Sequence, residues 1–249
     1  MEIFNRFFEA GGAWEVLSRY AHVLTGITWI GLLYFFNFVQ TPAFAEMSAE
    51  ARSEAQRKLT WRALWWFRWA ALLTFLFGVS ILSVQTSEDA DAYLSGQRGT
   101  AIITGMILGT TMFLNVWGVI WRNQKVIIGS AERVAQGEEP DPRAAALAKP
   151  AARASRANTL FSIPMLFFMV FAAHGLGFWE EPIGSTVVYW IVFLVIWAFI
   201  EASALGLVGG YDNPFNKLVF DDHRNTIVGG FVLLAVIYLI GWEIILQAM

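Results

Sequence analysis

Residues 22–42, HVLTGITWIGLLYFFNFVQTP, contain no aspartate, glutamate, lysine or arginine. A run of this length and composition matches the roughly 20 apolar residues that an α-helix needs to cross the hydrocarbon core of a bilayer. Five further apolar runs follow it along the chain. We place the six segments at residues 17–40, 64–84, 99–121, 159–179, 186–208 and 226–246. The sequence therefore predicts an all-α, polytopic membrane protein built as a bundle of six transmembrane helices.

The composition of the chain agrees with this fold class. Hydrophobic residues make up 57% of the 249 residues and aromatic residues 16%, so lipid is the main solvent. The connecting segment at about 122–158 is rich in alanine, and Pro140, Pro142 and Pro150 predict short helices joined by turns there. We therefore expect a single transmembrane domain over residues 1–249, with a cytoplasmic loop at about 122–158.

The distribution of basic residues predicts the orientation in the membrane. Thirteen of the seventeen lysines and arginines lie in the segments 41–63, 122–158 and 209–225. The opposite side has only Arg6, Arg19 and Arg98. The positive-inside rule places both termini outside, in the periplasm for a multi-pass protein of a bacterial inner membrane. This topology accounts for the basic residues without nucleic acid as a partner.

Two of the three histidines lie inside predicted spans. The absence of cysteine excludes disulfides, thiolate-held iron–sulfur clusters and covalently attached c-type haem. His22 and His174 each lie five residues from the outer end of an antiparallel span, roughly 8 Å deep at 1.5 Å per residue. This pair predicts one haem b per chain, with both imidazoles bound to its iron. The alternative is that each histidine is hydrogen-bonded to a neighbouring helix near the interface.

Residues near this histidine pair suit a haem. Arg19 lies on the same helical face as His22 and could reach a propionate, and Arg98 is a second candidate for that role. Gly26, four residues after His22, removes bulk where the macrocycle would lie. His223 lies in the cytoplasmic sequence DDHRN before the last span, where we expect either a solvated loop residue or a residue at the start of a helix.

Three polar residues inside the spans are candidate catalytic groups: Glu201, Arg68 and Asn115. An unpaired carboxylate in an apolar run is costly, so Glu201 needs a partner, and Arg68 is a candidate for it. The two would then form a structural ion pair, unless Arg68 only extends toward the interface. The other interpretation gives Glu201 a role in proton transfer or substrate binding.

Residues 22–42 and two later stretches carry a family resemblance. The later stretches are NVWGVIWRNQK at 115–125 and SRANTLFSIPMLFFMVFAAH at 155–174. Together they resemble the membrane domain of the bacterial membrane-bound urate oxidase (urate hydroxylase) family. In that family a periplasmic cytochrome c domain commonly follows the membrane domain, and urate oxidation is thought to deliver electrons to it. The present sequence has no Cys-x-x-Cys-His, so we expect a separate cytochrome c to take that role.

The resemblance implies a haem-binding membrane oxidoreductase subunit that oxidises urate or another purine and reduces a periplasmic cytochrome c. The acidic outer turns at Glu88, Asp89, Asp91, Glu180 and Glu181 would help such a partner to dock. The alternative is a non-catalytic, haem-bearing or structural accessory subunit of a respiratory complex. The chain could form an oligomer in either of these two functions. A small-solute transporter is disfavoured because no internal repeat is evident.

The predicted orientation can be tested with fusions at the C-terminus. Because the positive-inside rule places this end in the periplasm, alkaline phosphatase fused there should be active. Green fluorescent protein fused at the same position should be dark. The opposite pair of results would reverse the topology and with it the placement of His22 and His174 near the outer face.

Overall fold

The structure is a computed structural model that describes residue 4, residues 6–174 and residues 186–246. Regular structure in these residues is entirely helical. Six helices are long and apolar enough to cross a membrane: α1 (Ala13–Glu46), α2 (Ala49–Gln85), α3 (Gln97–Ala135), α4 (Ala144–His174), α5 (Thr186–Ala204) and α6 (His223–Leu246). Short helices at Ala90–Ser95 and Pro214–Phe220 lie in two of the connections. The prediction of an all-α, multi-pass membrane protein with six spans is confirmed.

Several helices are longer than the predicted spans. The segment predicted as a cytoplasmic loop, 122–158, is helical except at residues 136–143. Pro150 does not break the chain into short helices, as the sequence suggested, because it lies inside α4. The proline leaves the carbonyl of Ala146 without its usual backbone donor. That residue is exposed, so solvent can take the place of the missing N–H group.

Helix α4 lies at the centre of the bundle. Of its most apolar window 56% is buried inside the protein, against 39% for α3 and 28% for each of the other four spans. It contacts α1, α3, α5, α6 and the short helix Pro214–Phe220. Its buried face carries small residues, including Ala151, Ala154 and Ala157. Small side chains allow the neighbouring helices to approach closely, which is how helices pack in a membrane.

Helix α6 packs against α4 at the point where Pro164 interrupts the hydrogen bonding of α4. Pro164 has no N–H group, so the carbonyl oxygen of Leu160 loses its helical donor. Gly230 lies against this carbonyl: a Cβ atom added there would be 2.9 Å from the oxygen of Leu160 and 2.6 Å from Cδ1 of Ile163. Glycine therefore lets the backbone of α6 approach the unpaired carbonyl.

Three long helices contain a π-helical turn. These turns are Phe35–Gln40 in α1, Gln56–Thr60 in α2 and Val116–Ile120 in α3, and α6 ends as a π-helix over Val236–Leu246. A π-turn inserts an extra residue into the helix, and such turns are frequent at functional sites.

The packing at Gly230 predicts opposite effects for two glycine substitutions. Gly230→Ala should destabilise the protein by about 1–3 kcal/mol, because the added methyl group would collide with Leu160 and Ile163. Gly31→Ala should be neutral or slightly stabilising, because no atom lies within 4 Å of its Cβ position and alanine favours the helix. Thermal unfolding in detergent measures both variants. Equal effects would contradict the close contact between α4 and α6.

Candidate functional site

His22 lies half-buried on α1 and faces α2. Its Nδ1 atom is 2.8 Å from the carbonyl oxygen of Thr74. Because a carbonyl oxygen only accepts hydrogen bonds, Nδ1 carries the proton and Nε2 keeps its lone pair. Metal-bound histidines usually donate their other ring N–H to a partner of this kind, which fixes the orientation of the ring. His22 thus presents one nitrogen that can bind an iron.

The space beside the His22 ring comes from a glycine on α2. A Cβ atom at Gly78 would lie 3.1 Å from Cε1 of His22, so a larger residue would press on the ring. Gly26 also faces α2, but a Cβ atom there would make an ordinary contact of 3.8 Å with Thr74. Sequence analysis did not find Gly78 or Thr74, because a single sequence does not reveal which residues of α2 lie opposite His22.

His174 is the last described residue of α4 and is exposed. Among the described residues no hydrogen bond joins it to His22. The positions of the two histidines along the bundle axis can be compared by counting residues from a contact that joins their helices. Tyr34 of α1 and Ser162 of α4 form such a contact, a hydrogen bond of 2.9 Å. Each histidine lies twelve residues from this contact toward the same end of the bundle.

A second contact checks this comparison. Asn37 of α1 donates a hydrogen bond to Ser155 of α4. From there the distances along the helices are fifteen residues to His22 and nineteen residues to His174. The difference of about 6 Å at 1.5 Å per residue is close to one helical turn. The two histidines therefore lie at the same level to within about a turn.

The two arginines predicted near the histidines differ in their partners. Arg19 forms an ion pair with Glu15, one turn before it on α1, and the carboxylate also accepts a hydrogen bond from the backbone of Gly11. Arg98 lies at the start of α3, with its guanidinium group 5.2 Å from the ring centre of Tyr93. Its Nε atom is buried and has no hydrogen-bond partner in the described part of the chain. Arg98 is thus the better placed of the two for an anionic group.

Asn115 and Glu201 belong to one buried network. Asn115 of α3 donates hydrogen bonds to the side-chain oxygen of Asn158 on α4, at 3.0 Å, and to the carboxylate of Glu201 on α5, at 3.2 Å. Asn158 in turn donates to the carbonyl oxygen of Met112, which fixes its orientation. The network joins three helices around a carboxyl group.

Arg68 is not the partner of Glu201, so this prediction is wrong. Its guanidinium group lies over the ring of Trp121, 3.7 Å from the ring centre, with Trp69 and Trp117 at 5.6 and 5.7 Å. The face of an indole ring attracts a cation, and two neighbouring indoles add to this attraction. The interaction holds Arg68 between α2 and α3, and Glu201 takes its hydrogen bond from Asn115 instead.

His223 lies apart from the other two histidines. It is the first residue of α6, and its Nδ1 atom is 3.7 Å from the carboxylate of Asp222, the residue that caps the helix. This agrees with the expectation of a residue at the start of a helix. The acidic residues Glu180 and Glu181, predicted as part of a docking surface, lie outside the described residues.

The fold and these polar groups define a membrane protein with six spans, in which hydrogen bonds hold His22 between α1 and α2 and the Glu201 carboxyl group between α3 and α5. Residues 93–203 match the family described as Urate oxidase N-terminal. The match covers two of the three stretches that carry the resemblance, and it includes Arg98, Asn115, His174 and Glu201 but not His22. It confirms the resemblance over this part of the chain. No curated protein and no solved structure matches the chain.

Proposed function

We propose that the chain is a membrane oxidoreductase subunit that binds one haem b, oxidises urate or a related purine and passes electrons to a separate periplasmic cytochrome c. The observation that carries the proposal is the family match over residues 93–203, which supports a urate-related oxidoreductase role. The match spans α3, α4 and α5, the three helices that contribute the Asn115, Asn158 and Glu201 network.

The geometry of the histidines supports haem as the cofactor. His22 presents Nε2 because Nδ1 donates to Thr74, and His174 lies within about one turn of the same level. In this proposal the two imidazoles hold the haem iron from antiparallel helices. Haem bound there would supply a one-electron redox centre, and the two histidines and the low-dielectric surroundings would set its potential.

The outer end of α3 offers groups for the charged edge of such a cofactor. Gly105 of α3 lies against Met169 of α4, where an added Cβ atom would be 3.2 Å from Cε of Met169. His174 is five residues further out on α4, which places it level with Thr100, half a turn from Arg98. The buried Nε atom of Arg98 has no partner in the described residues. A propionate is the kind of anion that would pair with this guanidinium group.

Glu201 is the candidate group for proton transfer in this proposal. Asn115 lies ten residues inward from Gly105 along α3, so the network is about 15 Å closer to the inner face than the Gly105 contact. Asn115 holds one oxygen of the carboxyl group through its amide. A half-buried carboxyl group fixed in this way can accept a proton released when a substrate is oxidised.

The haem assignment predicts a set of visible spectra for the purified protein. Wild-type protein from haem-replete cells should carry one haem b, shown by a reduced-minus-oxidised spectrum and a pyridine haemochrome. His22→Ala and His174→Ala should each abolish or strongly change this spectrum, because each removes an axial ligand. Gly78→Ala should shift it, because the new methyl group would press on the His22 ring.

Two variants serve as matched controls for these spectra. His223→Ala removes the histidine at the start of α6 and should leave the spectrum unchanged. Gly31→Ala adds the same methyl group to α1 at a position with no atom within 4 Å of its Cβ position, and should also leave the spectrum unchanged. Colourless wild-type protein, or an unchanged spectrum in His22→Ala, would contradict the assignment.

Turnover with urate tests the reaction. Because urate oxidation removes two electrons and each cytochrome c accepts one, two molecules of a basic cytochrome c should be reduced per urate consumed. The outer turn containing Glu88, Asp89 and Asp91 is exposed, so the rate should fall as salt screens the attraction between the partners. A haem-loaded protein that reduces no cytochrome c in the presence of urate would instead favour the accessory-subunit alternative.

A further inference from the structure

A cavity of about 140 Å³ lies between the inner halves of α1, α2, α3 and α4. Its walls combine apolar residues, such as Phe36, Leu64 and Ile120, with a larger set of polar ones. The polar wall includes Asn37, Gln40, Thr60, Gln124, Ser155 and Arg156. The cavity is distinct from the histidine pair, since Asn37 lies fifteen residues from His22 along α1, about 22 Å.

All three π-turns in α1, α2 and α3 contribute to this cavity. Asn37 and Gln40 belong to the turn Phe35–Gln40, Thr60 to Gln56–Thr60, and Ile120 to Val116–Ile120. Thr60 donates a hydrogen bond to the side-chain oxygen of Gln40, which ties the first two turns together. Three helices therefore deviate from α-helical geometry at the same place, as helices often do around a binding site.

Arg156 is the charged group in the cavity wall. It is only 8% exposed, and its Nη1 atom is buried without a hydrogen-bond partner in the part of the chain that the structure describes. The guanidinium group makes no ion pair with a described residue. Asp221 and Asp222 act on it only through longer-range electrostatics. Burial of a charge without a direct partner is costly, so an anionic group that enters the cavity would be stabilised beside Arg156.

The neighbouring Arg153 shows how the fold satisfies an arginine that has a structural role. Arg153 is also buried, at 5% exposed, and lies three residues earlier on α4. Its guanidinium group donates to the carbonyl oxygens of Tyr211 and Asn216 and to the carboxylate of Asp221. The two arginines therefore differ: Arg153 holds the connection before α6, whereas Arg156 has no hydrogen-bond or ion-pair partner among the described residues.

The amide groups of the wall indicate the chemistry of the missing partner. Asn37 uses its NH₂ group on Leu33 and Ser155, which leaves its carbonyl oxygen as an acceptor. Gln40 keeps its NH₂ group free, since only its oxygen is bonded, and the Gln124 side chain makes no hydrogen bond among the described residues. Donors and acceptors beside a cation match a ligand that has carbonyl or N–H groups as well as a negative charge.

We propose that this cavity is a binding site for a flat organic anion of one or two rings, held by Arg156 and oriented by the amides of Asn37, Gln40 and Gln124. The volume fits this class, because a cavity of about 150 Å³ accommodates an aromatic ring. Urate is the anion that the proposed function would supply, and an aromatic carboxylate is another source of the same chemistry. The binding site does not depend on the proposed function.

The test measures thermal unfolding of the protein in nanodiscs of phosphatidylcholine, which carry no anionic lipid. Urate, benzoate and inorganic phosphate are titrated as separate probes. Urate or benzoate should raise the unfolding temperature of the wild type in a concentration-dependent way. Arg156→Gln should weaken the apparent affinity at least about tenfold, since it removes a charge-assisted hydrogen bond. Ala152→Leu, at an exposed position of the cavity wall, should also weaken binding by filling space.

Three controls make the result specific. Arg122→Gln removes an exposed cation of α3 at the end of the bundle that contains the cavity, and should leave probe binding unchanged. Without any probe, Arg156→Met should unfold at the same temperature as the wild type or higher, because it removes an unpaired buried charge. Arg153→Met should unfold at a lower temperature, because it breaks a satisfied network. If Arg156 had only a structural role, its variant would be destabilised like that of Arg153.

The outcomes separate this proposal from the proposed function. Stabilisation by urate or benzoate that is lost in Arg156→Gln and Ala152→Leu supports the site, whether or not urate is oxidised. Stabilisation by urate alone identifies the heterocycle as the ligand, and stabilisation by benzoate alone identifies a carboxylate. Stabilisation by phosphate alone, by no probe, or to an equal extent in wild type and Arg156→Gln would overturn the proposal.

Discussion

The hydrocarbon core of a membrane offers no hydrogen bonds, so the buried amide and hydroxyl groups of the central helix α4 form hydrogen bonds within the protein. Asn158 donates to Met112 and accepts from Asn115, which fixes α4 against α3. Ser155 and Ser162 bind Asn37 and Tyr34, which fixes α4 against α1. These bonds set the relative levels of the helices. Because of these hydrogen bonds, His22 and His174 lie at similar positions along the bundle axis. The same bonds bring the cavity residues of α1 and α3 next to Arg156 of α4.

The number of spans could be predicted from the sequence, because apolar runs of about 20 residues are a strong signal. The ends of the helices could not, because charge and proline mark where a chain leaves lipid, whereas a helix continues as long as its backbone is satisfied. Residues 121–135 and 144–158 illustrate this: they are charged or rich in alanine, yet helical. Pro150 remains inside α4 because solvent can reach the carbonyl it leaves unpaired.

The candidate site was predictable only in part, for a related reason. His22 and Glu201 stand out in a sequence because ionisable residues are rare in apolar runs. Thr74 and Gly78 do not, since they are recognised only once the register between helices is known. Asn115 could be picked out as a polar residue in a span, but its hydrogen bond to Glu201 could not. The expected pair of Arg68 and Glu201 failed because the sequence does not reveal that Trp117 and Trp121 of α3 lie opposite Arg68. Trp121 instead binds the arginine through its ring face.

The difference between satisfied and unsatisfied polar groups gives the structure its functional interpretation. Arg153 and Asn158 are buried and fully bonded, as residues that stabilise a membrane bundle must be. Four arginines, Arg57, Arg68, Arg98 and Arg156, have a buried nitrogen without a hydrogen-bond partner among the described residues. Arg57 also donates to Glu132, Arg68 lies over the ring of Trp121, and Arg98 lies near the ring of Tyr93. Arg156 differs from these three, because no described residue forms a hydrogen bond, an ion pair or a ring contact with its guanidinium group. An unpaired buried cation is costly, which is why the proposed ligand site is centred on Arg156.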